Sequence, residues 1–109
     1  MIHNRFNSEA PDGFALPKAA VALINTAALS GWRTGWQWSA DNSGSPFVKV
    51  HVGDADTREC FTFTWHSRDT GTLRLFSKLH QAQAGAPWTD GPSVKAAMFR
   101  MREIADQRS

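Results

Sequence analysis

Strict alternation of apolar and polar residues in its middle third most constrains what this chain can fold into. In "FVKVHV" Val48, Val50 and Val52 face one way and Phe47, Lys49 and His51 the other. In "CFTFTWH" Phe61, Phe63 and Trp65 oppose Cys60, Thr62, Thr64 and His66. Successive side chains of a strand point to opposite faces, so this period predicts strands with one buried and one uncovered face. "WRTGWQWS" continues the pattern with Trp32, Trp36 and Trp38 on one side and Gly35 as a candidate bulge. "TLRLFSKLH" sends Leu73, Leu75 and Leu79 inward.

Turn chemistry separates these runs. "DNSGSP" and "GDADT" read as loops, and "RDTG" suits a type I turn followed by a left-handed Gly71. With Asp69, Thr70 and Gly71 as the loop, Arg68 faces Thr72, Trp65 faces Leu75 and Phe61 faces Leu79. The opposite side then pairs His66 with Arg74 and Thr62 with Lys78, so apolar meets apolar on one face only.

Two helices flank the strands. "LPKAAVALINTAALSG" has Pro17 placed for a first turn and Gly31 for the position after the end. Its apolar residues nearly encircle it, which calls for cover on more than one side, either from the sheet and the second helix or from another subunit. "SVKAAMFRMREIADQ" carries a core stripe of Val94, Ala97, Met98, Met101, Ile104 and Ala105, with Phe99 beside it. The expected fold is α+β: helix, four-stranded antiparallel meander, helix, with both helices on one face of the sheet. The core would include Trp36, Trp38, Val48, Val50, Phe61, Phe63, Trp65, Leu73 and Leu75. Residues 1–13 read as a flexible N-terminal tail and 14–109 as one domain.

The bounds agree. The 109 residues are 41% hydrophobic, enough for one modest core. A net charge of +2 is weak evidence for an anionic partner. One cysteine excludes an intramolecular disulfide and fits a reducing compartment. The N-terminus lacks the apolar core of a secretory signal and no run is long enough to span a membrane. The expectation is a cytoplasmic protein with no membrane contact.

Two resemblances bear on origin and topology. "GWQWSADNSGSPFVKVHV", "FTWHSRDTGTLRLFS" and "WTDGPSVKAA" resemble segments of small orphan proteins from phages of actinobacteria, mycobacteriophages especially. The resemblance implies a small phage gene product made inside a bacterial host, of a kind that often binds a host component; no activity, cofactor or site residue comes with it. The element order is also similar to that of the double-stranded RNA-binding domain, but with an extra strand and without that domain's run of lysines at the start of the final helix.

Motifs for catalysis are missing from the sequence. It holds no phosphate-binding glycine loop, no H-E-x-x-H, no paired C-x-x-C and no nucleophile elbow. "GDADTRE" lacks the ligand spacing of a calcium loop and reads as a solvated hairpin turn. Trp88 reads as a packing plug at the helix entry, and His3 lies in the tail. The leading expectation is therefore a non-enzymatic binding protein without a cofactor, acting on a host protein through Phe47, Phe76 and Phe99, with homo-oligomerisation through the first helix as a further contact. The alternative is nucleic-acid binding through Lys49, His51, Arg74 and Lys78 on the outer sheet face, with Phe47 and Phe76 interleaved. A third arrangement is a metal or nucleophile row of His51, Cys60 and His80, which requires His80 opposite Cys60 and Val52 opposite Glu59.

Overall fold

The computed structural model describes residues 9–67 and 72–108. The elements run α1 (Lys18–Leu29), β1 (Arg33–Ala40), β2 (Pro46–Gly53), β3 (Cys60–Ser67), β4 (Leu73–Gln81), β5 (Thr89–Asp90) and α2 (Val94–Arg108). The strands form one antiparallel sheet in the order β1-β2-β3-β4-β5. The α+β meander is thus as expected, with a short fifth strand from the connection before α2. The proposed 68–71 turn lies outside the described residues.

Local chemistry sets the helix ends. Pro17 is the residue just before α1 rather than within its first turn. At the other end the Trp32 amide donates to the Ala27 carbonyl at 2.8 Å and the Gly31 amide to that of Ala28 at 3.2 Å, with Gly31 at φ 78°. This closing motif needs a left-handed residue, which glycine supplies without a Cβ clash. It swings Trp32 into the core, where its ring stacks on Phe61 at 5.9 Å. Ser93 begins α2, its hydroxyl accepting from the Ala96 amide at 3.1 Å.

The core lies between the sheet and both helices. Ala20, Leu23 and Ala27 of α1 and Ala97, Met101 and Ile104 of α2 pack with Val48, Val50, Val52, Phe61, Phe63 and Trp65. Burying one such large side chain contributes about 1.5–3 kcal/mol. Trp36 and Trp38 are only half-buried because β1 is an edge strand. Leu73 is half-buried, and Leu75 is 43% exposed rather than core, since β4 lies at the far side of the sheet from α1. The cover on α1 is one-sided: Lys18, Val21, Ala22, Asn25, Ala28 and Leu29 form an exposed stripe.

Register decides which residues share a face, and it departs from expectation three times. β1 and β2 pair without interruption, so Gly35 is no bulge. Between β2 and β3 Gly53 lies opposite Cys60, and Val52 opposite Phe61 instead of Glu59. Between β3 and β4 the pairs Trp65–Leu75 and His66–Arg74 are as predicted, but Phe76 is then an extra residue against Thr64/Trp65. Beyond this bulge Thr62 faces Leu79, Phe61 faces His80 and Cys60 faces Gln81. A one-residue slip exchanges faces. Lys78 and His80 therefore turn to the helix side, while Ser77 and Leu79 turn outward.

Candidate functional site

The sheet face away from the helices is built of four cross-strand rows. They are Arg33–Gly53–Cys60–Gln81, Gly35–His51–Thr62–Leu79, Gln37–Lys49–Thr64–Ser77 and Ser39–Phe47–His66–Arg74. Thr62 and Thr64 in the centre are buried, because larger neighbours lean over them. His51 Nδ1 lies 3.0 Å from the Thr62 hydroxyl.

Two hollows open on this face and meet at Thr62. The first, about 440 Å³, has Gly35, Gly53, Cys60 and Thr62 as its floor and Arg33, His51 and Trp88 as walls. Small residues on adjacent strands leave the backbone bare there, and a Cβ on Gly53 would come within 3.2 Å of Cys60 Sγ. The second, about 380 Å³, lies among Phe47, Thr64, His66, Phe76 and Leu79, with Lys49 and Asp41 at its rim. Phe47 stacks on His66 at 5.9 Å and Phe76 tilts against the same ring at 5.7 Å. His66 is fixed from the other side by Asp41, whose Oδ2 is 2.9 Å from Nε2. Phe76 projects from the bulge and is 60% exposed.

Electrostatics distinguish the groups on this face. Among the described residues, Arg33, Lys49 and Arg74 make no ion pair. Burial, helped by neighbouring Lys49, holds the His51 imidazole below its ordinary range, so it is neutral at pH 7. Burial and then Glu59 push the Cys60 thiol up, which disfavours the thiolate that nucleophilic or metal-binding work needs. Amides of Ser45 and Ser43 and the His66 ring hold Asp41 low.

The sequence-derived sites fare differently. Phe47 and Phe76 come together, whereas Phe99 is 66% exposed on α2 beside Arg102 and Glu103, in the helix layer. Lys49, His51 and Arg74 share the outer face, but the bulge carries Lys78 to the other side. The His51–Cys60–His80 row does not assemble: His51 faces Thr62, and His80 stacks on Phe61 at 4.7 Å beneath the sheet. No cluster of three or more His, Cys, Asp or Glu able to hold a metal occurs among the described residues.

"GDADTRE" is not simply solvated. Asp54 is buried and accepts both Arg108 nitrogens at 2.8 and 2.7 Å, as well as the Thr57 amide and hydroxyl. Arg108 thereby holds the Asp54 carboxyl well below the usual carboxylate range. Glu59 receives His80 at 2.9 Å and Arg100 at 3.3 Å. Trp88 is 47% exposed on the first hollow rather than a buried plug. The roles of Arg33, Gly35, Gly53, Trp88 and Leu79 escaped the sequence reading. The adjacent Leu75–Phe76 pair followed by Ser77 was the available sign of a break in alternation.

Compared with known proteins, the chain matches no family model, no curated protein and no solved structure. Among the described residues no helix is long and apolar enough to cross a membrane.

Proposed function

We propose that this is a small, non-enzymatic binding protein, phage-encoded and acting in the cytoplasm of a bacterial host, that engages a host protein through the uncovered face of its sheet. The observation that carries the reading is Phe76, lifted by a bulge to 60% exposure beside Phe47 and a hollow of about 380 Å³. An exposed aromatic next to an apolar hollow is the usual anchor of a protein contact. The helix-layer Phe99 and the first helix are outside this surface. Affinity capture from an actinobacterial lysate, run in parallel with the wild type and Phe76→Ser, tests the reading. A specific host protein should be retained by the wild type and lost with Phe76→Ser; equal retention by both overturns this surface.

A second reading is favoured by three cations that make no ion pair among the described residues. Arg33, Lys49 and Arg74 surround exposed aromatics on one open sheet face, an arrangement that suits a single-stranded nucleic acid. Three phosphate contacts would give a logarithmic salt slope of about −2. Titrating single-stranded DNA and RNA across a salt series separates the readings, since a salt-independent affinity leaves no phosphate contact.

A further inference from the structure

We propose that the end of the sheet nearest the β2–β3 turn binds a nucleoside monophosphate, its base against Trp88 and its phosphate between Arg33 and Arg58. A third hollow, of about 330 Å³, lies beside the first and shares Arg33, Gly53 and Cys60 with it. Ligand sites usually enclose roughly 300–1,000 Å³, so the two together have room for one small molecule.

Arg58 carries the inference. It is the one non-glycine residue with a positive φ, 62°, among the described residues. It closes the turn in which its amide donates to the Asp54 carbonyl and the Asp54 amide to that of Glu59, both at 2.9 Å. Glycine takes such a left-handed position without a Cβ clash, and arginine does not. Yet the Arg58 side chain makes no hydrogen bond or ion pair among the described residues, and it lines the third hollow. Backbone strain that no contact within the fold offsets marks a functional position.

Charge selects the ligand. Arg33 also makes no ion pair among the described residues, so two positive charges border one hollow. The carboxylate that shares it, Asp54, is already held by the two Arg108 nitrogens at 2.8 and 2.7 Å. A phosphate monoester carries about −1.5 to −2 at neutral pH and so matches two arginines, whereas a carboxylate matches one.

The first hollow supplies the other half. Trp88 is 47% exposed and stacks on no ring among the described residues. Gly53, which has no side chain, and the Cys60 thiol give this part of the hollow no charge. His51 engages Thr62 through Nδ1 and keeps its other ring nitrogen for the polar edge of a base. Stacking on an exposed indole suits any base. The site rests on neither reading given above, and Arg58 belongs to neither.

Calorimetric titration of the whole chain at low salt, with adenosine monophosphate, adenosine and inorganic phosphate in turn, tests the proposal. The mononucleotide should bind at least about tenfold more tightly than either part alone, because it joins two contacts in one molecule. Arg58→Gly should weaken it at least about tenfold while leaving the urea midpoint no lower than in the wild type, since glycine relieves the left-handed position. Trp88→Ala should weaken the mononucleotide and leave phosphate affinity unchanged, and Phe76→Ser should change neither. A terminally phosphorylated oligonucleotide that binds as tightly as the mononucleotide supports the same site with a strand end as its source; weaker binding supports the free nucleotide. Mononucleotide affinity no higher than that of adenosine or phosphate overturns the proposal, as does full affinity in Arg58→Gly or Trp88→Ala.

Discussion

The two faces of the sheet use their charges in opposite ways. On the helix side the carboxylates of Asp54 and Glu59 are buried and bound to Arg108, Arg100 and His80, so that α2 is tied to the β2–β3 connection at two points. On the outer face Arg33, Lys49 and Arg74 have no carboxylate partner among the described residues, and the His66–Asp41 hydrogen bond steadies a ring between Phe47 and Phe76. Charge on the helix side ties elements of the fold together, while the three outer cations make no ion pair among the described residues. A buried carboxylate is tolerated only when paired, whereas an exposed lysine is hydrated at no cost.

The largest effect that could break this comparison is on stability. Asp54→Ala should destabilise the protein by roughly 2–3 kcal/mol in urea unfolding, through loss of the Arg108 and Thr57 bonds to a side chain only 2% exposed. Lys49→Ala on the outer face should change stability by about 0.5 kcal/mol or less. Comparable losses from both would erase the distinction between the faces.

Acid titration sharpens the same contrast. Asp54 and Asp41 have folded-state pKa values below those of the unfolded chain, so unfolding takes up protons as the pH falls. Their contribution is complete above about pH 4 and is lost progressively below it. Most of that acid-side loss should vanish in Asp54→Ala. His51 is also held low, so the unfolded chain binds its proton first below about pH 6.5, and a smaller decline should begin there and be removed by His51→Gln.

The smallest effect concerns Cys60. Its thiol is pushed up by burial and by Glu59, so iodoacetamide at neutral pH should alkylate it more slowly than a free thiol. Faster reaction would return Cys60 to the class of activated nucleophiles.

Much of this architecture was legible in the chain. Gly31 marked the end of α1, and the alternation of Val48–Val52 and Phe61–Trp65 placed β2, β3 and their buried face. The outer pair Phe47 and Phe76 was legible for the same reason. Two things were hidden. Strict alternation carried past Phe76 misplaces Lys78, Leu79 and His80, because a bulge is a choice between one extra residue and a polar Ser77 turned into the core. The β2–β3 register slipped because Asp54 and Glu59 leave the ladder to meet Arg108 and Arg100, partners 54 and 41 residues away that no local pattern reveals. The first hollow was invisible for a related reason: Gly35, Gly53 and Trp88 become neighbours only through the register and the turn before β5.

The outer face as the contact surface is tested most directly by calorimetric titration of the captured host protein into the wild type, Phe76→Ser and Phe99→Ser. Phe76→Ser should weaken binding at least about tenfold, as expected of an anchor, and Phe99→Ser by about twofold or less. The reverse order, with Phe99 as the sensitive position and Phe76 neutral, would contradict the account and move the partner to the helix layer.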